Sequence, residues 1–260
     1  MPKTPTDQLL TDLRRLDPER FTTLLLAPRK RQEGLLWLYG FNLELGRIRE
    51  RTLHEPKTGL IRLYWWREAI EEGRSGSPLA EAVLKLELDR ARLLAMIDAR
   101  EADMEQEPKL TMAELEAYAE GTGGNLQALA AQWLGGDAKA QETAYHAGTA
   151  YALLGLMRAL PAHIVLGRRH LPREAMACDF WGPSPELAAG VRKVAELAER
   201  RLEKADVASI PRPTRAAALC ALQAATHLRR LQRARFDCFD TRLLIPATRP
   251  LALAWGMISK

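Results

Sequence analysis

At 260 residues, with 47% hydrophobic and 27% charged side chains, the chain has the length and composition of one large globular domain, residues 1–260, and not of a disordered segment. Its cysteines, Cys178, Cys220 and Cys238, are odd in number and lack metal-type spacing, which predicts reduced structural thiols in an intracellular compartment and argues against a disulfide framework. The net charge of +5 is unevenly placed: six arginines (212, 215, 229, 230, 233 and 235) and no acid lie between Val207 and Phe236. A solvated helix face is one reading of that run, and a surface for anionic lipid or an acidic partner is the other. A single aromatic there, Phe236, and no recognisable binding module argue against nucleic acid.

Residues Met1 to Asp12 carry no apolar run, so no secretory signal is expected. Asp17-Pro18 predicts an N-cap and a first helical position, followed by the apolar face Phe21, Leu24, Leu25. Pro28 starts a longer helix in which Leu35, Leu38, Tyr39, Asn42 and Leu45 fall on adjacent faces. Pro56 and Gly59 predict a turn before the helix of Leu60, Leu63, Trp66, Arg67 and Ile70, which Gly73 to Gly76 closes. Trp65 and Trp66 point in different directions, so at least one belongs to the core.

Ser77-Pro78 opens the next helix, and another runs from Asp89 to about Glu105. Thr111 with Glu114 forms a capping box for the helix carrying Tyr118 and Glu120. Gly121-Thr122-Gly123-Gly124 lacks the preceding strand of a dinucleotide loop and predicts a kink or a close helix approach instead. A long helix from about Ala138 carries Pro161 as a point of strain. Helices near 185–206 and 213–235 and an apolar one after Pro250 complete an all-α chain of about ten helices. The least charged stretch, Gly148 to Gly167, is interrupted by Arg158 and Pro161 and makes a poor membrane span. A cytoplasmic protein is expected, with peripheral contact at the inner membrane as a further option.

Four collinear blocks carry a family resemblance: Leu35 to Glu50, preceded by Phe21 to Pro28; Arg62-Leu63-Tyr64-Trp65-Trp66-Arg67-Glu68-Ala69; Tyr118 to Leu126; and Gly148 through His170-Leu171-Pro172. Together they resemble the squalene/phytoene synthase family over about residues 17–175. The resemblance implies the all-α isoprenoid synthase bundle, whose central cavity holds Mg²⁺-diphosphate between two Asp-rich helices. At the first Asp-rich motif this chain has Gly46, Arg47 and Glu50. Aligning His170-Leu171-Pro172 with the family's Tyr-Leu-Pro places Ala159 and His163 at the second. No aspartate occurs from Pro18 to Leu88, and no carboxylate of either kind from Thr143 to Arg173.

A prenyl synthase must neutralise a departing diphosphate, and Mg²⁺ does so when held by carboxylate oxygens. Glu44 and Glu50 lie six residues apart, which puts them about 120° apart around a helix and off a common face. No metal, no cofactor and no catalytic residue is therefore expected. His163 and His170 can share a face, and His146 stands apart, but no cysteine or acid nearby completes a zinc set.

The cavity candidates are Tyr39, Asn42, Leu43, Glu44, Arg47, Trp66, Arg67, Glu120, Asn125 and Arg158. Arg67 and Arg158 match family arginines. Either the arginines hold an anionic lipid or isoprenoid without metal, or Arg47 pairs with Glu44, Glu50 or Glu120 as internal scaffold. Phe41 to Leu45 and Glu55 to Arg62 look like a non-catalytic, assembly-factor branch of the family, typified by a mitochondrial factor for respiratory complex I. A bacterial, catalytically silent relative, with a protein partner in a membrane complex, is the leading expectation. The alternative is an active prenyltransferase, condensing prenyl diphosphates head to head with Mg²⁺ at a degenerate site.

Overall fold

The computed structural model describes residues 4–52, 55–104, 111–166, 170–176 and 181–258. Among them the chain is α-helical, with short 3₁₀ turns and one π-helical turn. Thr4 and Asp7 form a reciprocal capping box that starts α1 (Pro5–Leu16), a helix that the sequence pattern left unread. Asp17 caps α2 (Pro18–Leu26) by accepting from the Arg20 backbone N–H at 3.0 Å. The long α3 (Arg29–Arg51) follows, then α4 (Pro56–Glu72).

Gly59 was expected in a turn but lies inside α4, buried against Met104. Pro56 is the first helical residue, where its missing N–H costs nothing. Gly73, at φ 69°, ends α4 as expected. The two next helices are α5 (Pro78–Leu84) and α6 (Arg90–Ala99). The helix expected to reach Glu105 stops at Ala99 and tightens into a 3₁₀ turn, Glu101–Met104.

Thr111 accepts from the Glu114 N–H at 3.1 Å to cap α7 (Met112–Ala119). The glycine run then forms a π-helical turn, Glu120–Gly124, that leads into α8 (Asn125–Trp133). The turn lets backbone meet backbone: a Cβ on Gly123 would stand 2.5 Å from the Gly148 carbonyl oxygen. Gly148 belongs to α9 (Ala138–Val165), which runs through Pro161 without a break. The C-terminal part comprises α10 (Pro185–Glu203), the single turn α11 (Arg215–Ala218), α12 (Cys220–Arg233) and α13 (Pro250–Ile258). That makes thirteen α-helices among the described residues instead of about ten.

Two adjoining cores organise the bundle. The first takes apolar residues from α1 to α6, α8 and α11, including Leu35, Leu38, Phe41, Ile70 and Leu129. The second takes them from α7, α9, α10 and α12, including Leu153, Leu154, Met157, Val191 and Leu228. Helix α9 serves both, with Ala144 and Ala147 in one and Ala150 to Leu160 in the other. Cys220 and Cys238 are free and buried, and burial pushes both thiols up to about 12. Cys178 lies outside the described residues.

The close approach of α9 to the π-helical turn yields a paired expectation. Gly148→Ala drives a methyl group into the Gly123 carbonyl and is expected to lower unfolding free energy by about 2–3 kcal/mol. Gly155→Ala, seven residues along the same helix with open space around it, is expected to raise stability by about 0.5–1 kcal/mol through helix propensity. Urea titration followed by circular dichroism measures both.

Candidate functional site

A cavity of about 180 Å³ opens between α2, α3, the end of α6, α7, the π-helical turn and α9. Its wall comprises Arg20, Asn42, Arg100, Tyr118, Thr122, Gly123, Tyr151, Ala152, Gly155 and Leu156, with no aspartate or glutamate among them. Ala152 and Gly155 on α9 keep the space open because they bring no long side chain into it. Arg20 donates to Asp17 at 2.5 Å and stacks 4.9 Å from the Tyr151 ring centroid. Its Nε is buried and has no hydrogen-bond partner among the described residues. Burial alone would lower the Arg20 pKa; the Asp17 carboxylate outweighs it and the net shift is upward.

Across the cavity Arg100 donates to Asp103 at 3.2 Å and to the Tyr118 hydroxyl at 2.8 Å. That hydroxyl in turn donates to the buried Asp103 carboxylate at 3.0 Å. Burial and the nearby Arg20 charge pull the Arg100 pKa down, but Tyr118 and Asp103 prevail and raise it. A Cβ on Gly46 would stand 3.6 Å from Arg100 Nη2, so this position of the first expected motif faces a guanidinium.

The other nominated residues scatter. Asn42 lines the cavity. Tyr39 is buried beneath it, 3.4 Å from Gln127 Oε1, and burial is the main reason its hydroxyl is pushed up to about 12. Leu43 is half-buried and Glu50 exposed. Glu44 turns away and accepts from Arg51 at 2.7 Å, with Arg62 at 4.0 Å. Arg47 is half-buried and forms no ion pair among the described residues, so none of its expected partners takes it. Glu120 pairs with Arg201, which also donates to Glu116 at 2.7 Å and reaches His146 Nδ1 at 3.2 Å.

Trp66 is core, edge-on to Phe41 at 5.0 Å, whereas Trp65 is 41% exposed; neither lines the cavity. Arg67 is drawn to α6, pairing with Asp98 and lying 3.6 Å from Glu71. Asn125 accepts from Arg92 at 2.9 Å on a different surface. Ala159 is half-buried, and His163 packs edge-on to His170 at 4.6 Å between ring centroids. Among the described residues no three His, Cys, Asp or Glu side chains gather as a metal-holding group. Sequence reasoning missed Arg20, Arg100 and Tyr151. The available signals were an Asp17–Arg20 and an Arg100–Asp103 pair at helical spacing, each beside an apolar run.

The squalene/phytoene synthase family model matches residues 13–249 of this sequence. The chain belongs to that family. Curated relatives named "NADH dehydrogenase (ubiquinone) complex I, assembly factor 6" are 30% identical in mouse over 89% of this chain and 75% of the relative. The human protein of that name is 30% identical over 67% of this chain and 54% of its own length. Among solved structures, a dehydrosqualene synthase in complex with ligand superposes with TM-score 0.80 at 17% identity, over 97% of this chain and 94% of that one. The squalene synthase HpnC from Alicyclobacillus acidocaldarius superposes with TM-score 0.69 at 16% identity, over 89% and 94% of the two chains. The all-α isoprenoid synthase fold expected from the sequence blocks is thus the fold observed.

Behind the cavity of this squalene/phytoene synthase family member lies a buried ionic cluster, also missed from the sequence. Glu19, 2% exposed, accepts from the Tyr151 hydroxyl at 2.5 Å, Arg158 at 3.1 Å, His227 Nε2 at 2.8 Å and the Ala247 N–H at 2.5 Å. Arg158, nominated for the cavity, is spent here instead. Its guanidinium can only donate, and it meets both ring nitrogens of His227, Nδ1 at 3.3 Å and Nε2 more closely. Burial, and then Arg158, lower the His227 pKa against the pull of Glu19. Burial by itself would raise the Glu19 pKa; the hydrogen bonds and charges of His227, Arg158 and Tyr151 reverse that and hold it well below the usual carboxylate range.

A depressed carboxylate pKa adds stability above the unfolded value of 4.5 and loses it as pH falls through the folded one. Glu19→Gln is therefore expected to cost about 3 kcal/mol at neutral pH. The variant should also lose stability less steeply than the parent below pH 4.5. Denaturant midpoints across an acid series check both.

Proposed function

We propose that this chain is a catalytically silent member of its family, with residues 1–260 working as one domain, and that it acts as an assembly factor of the kind its mammalian relatives are named for. Its cavity serves as a pocket for the anionic headgroup of an isoprenoid or lipid. The observation that carries this reading is the sign of the cavity wall: two guanidiniums, of Arg20 and Arg100, and no carboxylate. A divalent cation needs hard anionic oxygens around it. Guanidinium, phenol, amide and hydroxyl groups do not make such a set, so the wall does not fit Mg²⁺. It fits an anion directly, through charge-assisted hydrogen bonds from arginine. Arg20, which lines the cavity, also keeps a buried Nε donor with no hydrogen-bond partner among the described residues.

The size of the cavity narrows the ligand. Its 180 Å³ is near the volume of about 150 Å³ that holds benzene and below the roughly 300 Å³ at which pockets engulf larger ligands. A phosphate-sized headgroup fits, and a prenyl or acyl tail lies outside it. The described residues include no helix long and apolar enough to cross a membrane, so in this reading a membrane complex is met through surface helices.

Purified protein incubated with farnesyl or geranylgeranyl diphosphate and Mg²⁺ is expected to release no diphosphate above a protein-free control. Metal-dependent release abolished by Glu44→Ala or Glu50→Ala would overturn the silent reading. Deletion in the host is expected to deplete assembled complex I on native gels, and full complex I in the deletion strain would overturn the assembly role. In metal-free calorimetry Arg20→Met and Arg100→Met are each expected to weaken pyrophosphate binding about tenfold or more.

A further inference from the structure

Helix α13 turns an apolar stripe to solvent. Leu251, Trp255 and Ile258, at i, i+4 and i+7 on one face, are 87%, 67% and 55% exposed. Leu244 and Ile245, just upstream, are exposed as well. The opposite face is anchored: Leu253 is buried, and Gly256 sits against Leu222 and Leu219 of the C-terminal helices. The stripe is therefore held out on a fixed support.

Positive charge frames it. Between residues 207 and 258 there are eight arginines and two aspartates, so this segment holds more than the whole chain's excess of +5. Arg212 donates to the Ile258 carbonyl at 3.1 Å, placing its charge at the C-terminal end of α13, and Arg249 precedes the first residue of the helix. Arg230 donates to the Ile245 carbonyl. Arg215, part of the run read from sequence, does not contribute. It is buried and bonded to the carbonyls of Ala208, Ile210 and Met257. Of the two aspartates, Asp240 is taken by Arg242.

We propose that α13 and the adjoining Leu244-Ile245 segment dock the protein in the plane of an anionic lipid surface. Leu251, Trp255 and Ile258 enter the headgroup–acyl boundary while Arg212, Arg230 and Arg249 meet lipid phosphates. Exposed aliphatic and indole side chains carried on a helix too short to span, and ringed by arginine, suit an interface that is apolar below and negative above. A protein partner would need its own apolar groove ringed by acids; a bilayer offers both properties over its whole area.

The test uses the full chain and sedimentation with vesicles of phosphatidylcholine alone or with one third phosphatidylglycerol. Binding to the anionic vesicles is expected, weakened by salt. Leu251→Ser with Trp255→Ser is expected to reduce it at least tenfold, and Arg212→Gln and Arg249→Gln about fivefold each. Because Leu251 and Trp255 are exposed, thermal melts should match the parent. As an independent readout, brominated lipid should quench tryptophan emission in the parent and much less in Trp255→Phe. No binding to anionic vesicles, or binding indifferent to Leu251 and Trp255, overturns the proposal. So does a saturable complex with an acidic protein that needs these same residues while vesicles are ignored.

Discussion

The Glu19 carboxylate is the joint on which this bundle hangs. An acid 2% exposed is tolerable only if its lost hydration is replaced, and here four donors replace it: the Tyr151 hydroxyl, Arg158, His227 and the Ala247 N–H. They come from α9, from α12 and from the strap that leads to α13. The Glu19 backbone carbonyl also accepts from the buried Gln223 at 3.0 Å. One side chain thereby ties the N-terminal helices to the C-terminal third, across a sequence separation that no local interaction spans.

The same joint shapes both the cavity and the exposed face of α13. Tyr151 lines the cavity while its hydroxyl is held by Glu19, so the ring that Arg20 stacks on cannot swing freely. Ala247 fixes the strap just before α13, so the exposed face of that helix is presented in a set direction. Inside the cavity the polarity is opposite to that of a cation site. Asp17 and Asp103 balance the two guanidiniums from behind, and the lining itself keeps the positive side forward.

Much of the fold was readable along the chain. The Asp17-Pro18 cap, the Thr111 capping box, the stop at Gly73 and the close approach at Gly121 to Gly124 are local devices, and each is where the residues put it. The misreadings have equally local causes. Gly59 looked like punctuation, but its missing Cβ accommodates Met104 inside a helix. Helix α1 was passed over because its start is marked by Thr4 and Asp7 and not by an apolar run. The site was legible only in part. Of the residues nominated for a cavity, Asn42 lines the one described, while Tyr39, Leu43, Glu44, Arg47, Trp66, Arg67, Glu120, Asn125 and Arg158 do not.

The sequence by itself determined that the chain is helical, where several of its helices start and stop, which family's blocks it carries, and that aspartate is absent from Pro18 to Leu88. Helical repeat relates residues along one helix, so these properties need no third dimension. Only the tertiary structure decided that Arg20 and Arg100 face the cavity, that Arg158 is consumed by Glu19, and that Leu251 and Trp255 are left in solvent. Those outcomes depend on how each helix is rotated against its neighbours. That rotation is set by the simultaneous packing of two buried cores and by one desolvated carboxylate whose partners lie more than a hundred residues away.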